Sequence, residues 1–551
     1  MEPERITMPF NLSSPTSFFA TWVILCLTLG WPATALAQQD WSDFQPKDFQ
    51  PQVQTALANI ESGIAAGPFE AQWESLNGYE IPDWYKDAKL GIFIHWGPYC
   101  VAENGWEWYP RAMYIDKKSW RGNPFQHHLE TYGPQKTFGY KDLIPQLTGD
   151  KFDANQWVSL FKDAGAKYVV PVAEHHDGFA MYDCSFTQWN AVDMGPKRDI
   201  VGQLAEATRA HDLKFGVSSH RAFNWLYYVR NENFDNADPK FAGLYGRPIS
   251  ELFEPDADNY QKNWPPHDQE FKDEWLARTC ELTDKYDADL VWFDFGIANK
   301  RDVSAEDNLF AEHLRKFAAY FYNQAAKQDR VPVLNYKWKA FTEQSAVLDL
   351  ERSKLDNIRE LFWQTDTSVA TNTWGYIENI KYKPVNLIID DLIDIVSKNG
   401  CLLLNVCPRK DGSIPAEQQA ILRQLGGWMA VNGEAIHGSR PFKIYGEGPT
   451  GTVMGHVSES KNKPFVSADY RFTTHGDIVY IFCLEKSESG ESLITSFSKG
   501  NALLDGQIKS LELLGSDATV EWSVNEKGLK VQLPQTLPTP YAHVLKLQME
   551  Q

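Results

Sequence analysis

The stretch DLVWFDFG (289–296) runs through Leu290, Val291, Trp292 and Phe293 and then stops at a carboxylate, Asp294. A run so short and so apolar reads as a strand buried on both faces, the pattern of a parallel sheet. The form recurs along the chain. LGIFIHW (90–96) ends near His95, KYVVPVAEHH (167–176) in Glu174, His175 and His176, and KFGVSSH (214–220) in His220. VPVLNYKW (331–338) ends in Asn335 and Lys337, LFWQTDTS (361–368) in Gln364 and Asp366, and GCLLLNVCP (400–408) carries Asn405. Buried strands that repeatedly finish in titratable or hydrogen-bonding residues predict an α/β fold of the (β/α)8-like, TIM-type barrel class, with its chemistry at the C-terminal mouth of the strands.

The segments between these strands support that reading. DANQWVSLFKDAGA (153–166), DIVGQLAEATRAHDL (199–213), QEFKDEWLARTCELTDKYDA (269–288), NLFAEHLRKFAAYFYNQAAKQ (308–328) and NLIIDDLIDIVSKNG (386–400) have helical periodicity and length, the first two with Asp at the start. At least six strand-then-helix units are legible, and eight is the expected completion. EQQAILRQLGGWMAVNGEAIHG (417–438) reads as the last barrel helix. Beyond it the character changes to short alternating strands separated by Gly, Asp or Asn, beginning with FVSADYRFTTHGDIVYIFCLEK (465–486), which predicts a C-terminal antiparallel β-sandwich. The expected organisation is a secretory signal peptide over 1–37, a linker and short helix over 38–67, the catalytic barrel over 68–440 and the sandwich over 441–551. The sandwich is expected to pack on the barrel rather than to act as a binding module itself.

A chain of 551 residues is long enough for one large and one small domain. A formal charge of -20 argues against nucleic acid and anionic membrane surfaces, which require basic patches. The aromatic content of 13%, with 20 Trp and 23 Tyr, suits stacking on the apolar C–H faces of sugars and equally suits a large buried core. SFFATWVILCLTLGWPATALA (17–37) ends in Ala35-Leu36-Ala37 before Gln38, the form of a cleaved secretory signal, although the acidic Glu2 and Glu4 weaken the region before it. It predicts a secreted or periplasmic protein with no membrane association after cleavage. The six cysteines after the leader show no framework spacing, and Cys401 and Cys407 within one strand suit buried thiols.

Asp294 sits in apolar surroundings, which is costly for a carboxylate unless it is paired or used. Glycoside hydrolysis needs two carboxyl groups, and the candidates for the second are Glu351 in VLDLER (347–352), Glu107, Glu103, Glu174, Asp349 and Asp366. Neutral imidazoles at strand ends (His95, His175, His176 and His220) can donate to and accept from sugar hydroxyls. They could also bind zinc beside an Asp. Adjacent His175 and His176 point to opposite sides of a strand, so at most one faces a given ion without a bulge.

At these residues the sequence resembles the family 29 glycoside hydrolases, the α-L-fucosidases. The segments that carry the resemblance, in order, are LGIFIHWGPYCV (90–101), NGWEWYPRAMY (104–114), AKYVVPVAEHHDGFAMYDC (166–184), KFGVSSHRAFNW (214–225), DLVWFDFG, WQTDTSVATNTWGY (363–376) and NGCLLLNVCPRKDGSIP (399–415). The resemblance spans about 70–440 and implies a retaining enzyme with Asp294 as nucleophile. It further implies that His95, Glu107, Trp108, His175 and His176 bind fucose, Trp108 or a neighbouring ring facing the C5 methyl. Alignment of VLDLER favours Glu351 as acid/base, its pKa raised by a closed site. His220, Lys337 and Trp374 are the remaining substrate-binding candidates. The chain departs from the family at Ser218, Ser219 and His220, where aromatic residues are common. It also has Lys337 in place of an arginine, keeping the charge but losing the fork geometry. The implied substrate is a fucosylated oligosaccharide or polysaccharide and the implied cofactor requirement is none. The rival readings are a secreted fucose-binding protein without catalysis and a metal-dependent barrel hydrolase.

Overall fold

The computed structural model describes residues 39–247, 266–298, 300–504 and 506–550. The leader of the sequence reading lies outside them.

Eight parallel strands form one sheet in the order β6-β5-β4-β3-β2-β1-β8-β7. They are β1 (Leu90–Ile94), β2 (Tyr168–Glu174), β3 (Lys214–Ser219), β4 (Leu290–Phe293), β5 (Val333–Tyr336), β6 (Val347–Leu348), β7 (Trp363–Ser368) and β8 (Gly400–Val406). The ring closes where Asp349, just past β6, bridges in parallel to Gln364 in β7 and Leu350 N–H donates to Gln364 O. The expected barrel is therefore present. One strand escaped the sequence reading: β6 is two residues long, and the connections on either side of it contain no helix. Its brevity leaves no apolar run to detect.

Helices over Ala154–Asp163, Ile200–Ala210, Gln269–Tyr286, Ala311–Ala326, Val385–Ser397 and Ala416–Asn432 cover the outside. Asp153, Asp199 and Asp268 cap three of them, each accepting from a backbone N–H in the first turn. Inside, Phe93, Tyr168, Val170, Val172, Leu290, Trp292, Val333, Cys401 and Leu403 fill the barrel as a packed core. Trp292 is its upper layer and becomes the floor of the mouth.

The C-terminal strands form two antiparallel sheets around a second core that includes Phe472, Ile481, Phe497, Leu529 and Leu545. The five-stranded sheet has the order β13-β16-β11-β10-β9: β13 (Ile508–Leu513), β16 (His543–Met549), β11 (Ile478–Cys483), β10 (Tyr470–His475) and β9 (Arg440–Glu447). The second sheet pairs β12 (Glu491–Ile494), β15 (Gly528–Gln532) and β14 (Glu521–Asn525). This is the expected sandwich, and the His-Gly-Asp turn joins β10 to β11 with Gly476 at φ +59°. It packs on the barrel through Arg471 of β10, which contacts Asp394 on the 385–397 helix, and through Trp428 Nε1, which donates to Ala542 O. Cys100, Cys184, Cys280, Cys401, Cys407 and Cys483 are all buried free thiols. Among the described residues, no helix is long and apolar enough to cross a membrane.

Candidate active site

The C-terminal ends of the strands enclose a cavity of about 480 Å³ whose lining, among the described residues, includes His95, Glu107, Trp108, His175, His176, His220, Asp294, Lys337, Glu351 and Trp374. The ten residues favoured as nucleophile, acid/base and substrate-binding groups thus line one cavity, joined by Asp366, whereas the other acid candidates Glu103, Glu174 and Asp349 do not. Asp294 follows the last residue of β4, where the apolar layers end and the side chain can turn into the mouth. Its Oδ2 lies 3.1 Å from both His176 Nε2 and His220 Nδ1, and its Oδ1 lies 3.0 Å from Lys337 Nζ. Burial opposes ionisation, but Lys337 and the two imidazoles hold the Asp294 carboxyl well below its ordinary range.

Lys337, just beyond β5, sits 4.6 Å above the Trp292 ring and contacts three carboxyls: Asp294, Glu351 at 2.9 Å and Asp366 at 3.7 Å. A compact ammonium can touch three acids that a planar guanidinium would address in one plane. One expectation is corrected here. Burial alone would raise the Glu351 carboxyl, yet Lys337 outweighs it and draws the group below its ordinary value. Asp366 moves the other way. Burial and the adjacent Asp349 push it well above the carboxylate range, and the two carboxyls are hydrogen-bonded to one another. Asp349 also accepts from Gln364 Nε2 at 2.6 Å. The pair therefore shares a proton beneath Lys337.

These contacts sort the remaining acid candidates. Glu174 is clamped by Arg278 at 2.8 Å and Arg221 at 3.4 Å, outside the cavity. Glu103 faces Lys410 and Asp349 is committed to Asp366, and neither lines the mouth. Glu107 accepts from Trp374 N–H at 2.9 Å, so it fixes the Trp374 segment while facing the cavity.

The histidines form a cluster. His95 Nδ1 pairs with Asn405 Oδ1 at 2.7 Å, which orients the ring, and Asn405 also donates to Trp374 O. His176 is held between two acceptors, His220 O at Nδ1 and Asp294 at Nε2. Burial lowers His95 and His175 well below the ordinary range and brings His220 to about 4, so these rings are neutral at pH 7. His175 and His176 both line the cavity, their ring centroids 4.6 Å apart, because β2 stops at Glu174 and strand alternation no longer governs them. His175 Nδ1 and His220 Nε2 are buried with no hydrogen-bond partner. Ligand atoms of His95, His175 and His220, and separately of His176, His220 and Asp294, approach closely enough to hold a metal ion, and His175 and His176 do not fall in the same group. The same unpaired nitrogens suit sugar hydroxyls. Trp108 lies against Phe223 and Phe295 at 5.5 and 6.0 Å, forming an apolar wall beside His176.

This arrangement offers a charged carboxylate under an apolar wall, a second acid on the same ammonium, and neutral imidazoles around both. A family profile described as Alpha-L-fucosidase matches residues 56–434. The chain belongs to the α-L-fucosidase family. Family members are glycoside hydrolases, and similarity extends beyond the profile. The tissue α-L-fucosidase of Rattus norvegicus is 28% identical over 503 residues, covering 88% of this chain and 94% of its own length. The plasma α-L-fucosidase of Homo sapiens is 28% identical over 480 residues, covering 86% and 90%. The Thermotoga maritima α-fucosidase solved in complex with fucose superimposes with a TM-score of 0.66 at 25% identity, covering 87% of this chain and all of that one. α-L-Fucosidase isoenzyme 1 of Paenibacillus thiaminolyticus shares the fold, with a TM-score of 0.61.

The sequence reading missed parts of this fucosidase-family mouth. Asn405 and His95 were each visible as strand-end residues, but their pairing was not. Arg352, with φ +43°, stacks 4.4 Å over Trp374, and His456 enters the cavity from the sandwich. Neither follows an apolar run that would have marked it.

Proposed function

We propose that this protein is an exo-acting, retaining α-L-fucosidase that releases terminal L-fucose from fucosylated glycans, with Asp294 as nucleophile and Glu351 as acid/base. The observation that carries the proposal is Lys337 bridging the two carboxyls. Oxygens of Asp294 and Glu351 lie 3.0 and 2.9 Å from one nitrogen, so they are at most about 6 Å apart, short of the about 6.5–9.5 Å that inversion needs for its water.

The bridge also explains the charge flow. Because Lys337 lowers Glu351, the reactive form is the one in which Glu351 has first taken up a proton while Asp294, lowered further, stays ionised. In the first step Asp294 attacks C1 and loses its charge as its C1–O bond forms, the bond from C1 to the leaving oxygen breaks, and Glu351 gives its proton to that oxygen and becomes charged. In the second step Glu351 takes a proton from water, the hydroxide adds to C1, and the C1–O bond to Asp294 breaks. One negative charge shuttles between two carboxyls while Lys337 remains in contact with both, so its compensation needs no reorganisation. The low pKa of Asp294 keeps the nucleophile ionised, and its apolar flank at Trp108, Phe223 and Phe295 suits the C5 methyl of fucose. His95, His175, His176, His220 and Glu107 take the ring hydroxyls, with His175 Nδ1 and His220 Nε2 supplying nitrogens now without partners. No step requires a metal or an organic cofactor. The chain's leader reading makes a secreted or periplasmic enzyme the natural setting.

Asp294→Ala should lower turnover of 4-nitrophenyl α-L-fucoside at least about 10³-fold, as loss of a nucleophile does. Azide should yield fucosyl azide of inverted configuration from this variant and of retained configuration from Glu351→Ala. Activity of Asp294→Ala within a few-fold of wild type would end the proposal.

A further inference from the structure

The 22 residues between β9 and β10 do not make a hairpin. They leave the sandwich and lie along the barrel mouth, where Val457 N–H donates to Glu351 O at 3.1 Å and Glu459 N–H donates to Arg352 O at 2.9 Å. Two consecutive carbonyls at the acid/base position are thus gripped by the other domain. The Glu459 side chain anchors the grip, reaching Arg352 at 2.6 Å, Lys383 at 2.7 Å and Thr367 Oγ1 at 2.5 Å. The backbone is strained on both sides of the contact: Arg352 has φ +43° and Val457 φ +53°. The left-handed region is disfavoured for any side chain and most of all for a β-branched one. Such conformations persist only where surrounding contacts over-determine them, and they cluster at functional sites.

The strained turn delivers His456 to the cavity. Its Nε2 lies 3.9 Å from Glu351 Oε2, the oxygen that Lys337 also contacts, and the side chain keeps 35% exposure toward the opening. Catalytic contacts in a free enzyme are often long and tighten when substrate binds.

We propose that His456 is a positioning residue for Glu351 and that, with Val457, it walls the leaving-group side of the cavity, so that the sandwich sets how well a glycan leaving group is protonated. The proposal rests on Glu351 being the acid/base. Burial lowers the His456 pKa against the opposing charge of Glu351, while Arg301 and Lys337 act in the same direction as burial and Asp294 against it. The ring is therefore neutral, with one donor and one acceptor. It can hold Glu351 in place once that carboxyl has taken up the proton it donates, and meet a hydroxyl of the departing sugar, without adding a second cation that would draw the carboxyl lower still.

The test compares kcat/KM on a fucosylated disaccharide, whose leaving group needs the acid, with kcat/KM on 4-nitrophenyl α-L-fucoside, whose leaving group does not. In His456→Ala the ratio of the two should fall about ten- to hundredfold, the scale of a catalytic group misplaced by about 1 Å. His456→Gln, which keeps a donor and an acceptor, should recover most of the ratio, and its thermal unfolding should match wild type. An unchanged ratio in folded His456→Ala, or a ratio in His456→Gln no better than in His456→Ala, overturns the proposal. Wild-type protein inactive on both substrates would instead overturn the fucosidase reading.

Discussion

Arg471 and Lys337 are both buried cations within 3.0 Å of an aspartate, in different parts of the molecule. Arg471 joins the sandwich to the barrel. It contacts Asp394 at 2.5 Å, Lys398 adds a second contact at 2.8 Å, and Asp394 is wholly buried. Two cations converge on one carboxylate there, and its side chain has no exposure to solvent. At the mouth the ratio is reversed: one ammonium serves Asp294, Glu351 and Asp366. A junction with surplus cation locks one state. A cluster with surplus acid must keep at least one proton and can move it, which is the requirement of acid/base chemistry. The surroundings match. Unpartnered buried nitrogens at the mouth include His175 Nδ1, His220 Nε2 and Trp338 Nε1, whereas in the described sandwich strands His543 Nε2 stands alone.

The sharpest way to break the contrast is at Glu351. If the mouth exists to move a proton, Glu351→Gln should lose about 10²–10⁴-fold in kcat/KM on a fucosylated disaccharide, the range of general acid catalysis. The loss on 4-nitrophenyl fucoside should be far smaller in the fucosylation step. Equal losses on both substrates would mean that Glu351 serves binding and not proton transfer.

A smaller effect should come from the shared cation. Lys337→Met removes the charge that lowers both Asp294 and Glu351, so both carboxyls should titrate at higher pH. The acidic limb of kcat/KM, set by ionisation of Asp294, and the alkaline limb, set by loss of the Glu351 proton, should then both move upward. The bell shifts to higher pH and drops about tenfold or more, as for loss of a preorganised charge. Lys337→Arg should restore the position of the bell. A profile that falls in height without moving would show that Lys337 does not govern the two groups.

The contrast also marks what the sequence could reveal. Asp294, His95, His175 and His176 were legible because each follows an apolar run, and a polar residue at the end of a buried strand has few places to go except the mouth. Two of the capped helices were legible for a similar local reason, with Asp153 and Asp199 each beginning a periodic segment, while the Asp268 cap lies one residue before the segment read as helix. Non-local features were not. β6 is too short to leave a pattern. The direction of the Glu351 shift depends on a contact with Lys337, which outweighs the burial that the sequence did suggest. His456 lies in a connection between sandwich strands, and only the packing of the two domains places it beside Glu351.

The smallest kinetic effect and a large structural one should coincide at the junction. Asp394→Asn leaves Arg471 and Lys398 buried without their carboxylate, and breaking a buried pair in this way costs about 3–5 kcal/mol. Burial works against ionisation of Asp394, but Arg471 and Lys398 prevail and bring it to about 2, below the ordinary Asp value. A depressed folded-state pKa means that the group's stabilisation is complete above the unfolded value of about 3.9 and fades as pH falls toward 2. The wild-type and Asp394→Asn denaturation midpoints should therefore be well separated at pH 7 and converge as the solution is acidified through that window. At a temperature where the variant remains folded, its kcat/KM on 4-nitrophenyl fucoside should stay within about twofold of wild type, since Asp394 touches no group of the mouth. A large kinetic defect in a folded Asp394→Asn protein would mean that strain at the junction reaches Glu351, and the division between a locked and a mobile cluster would have to be redrawn.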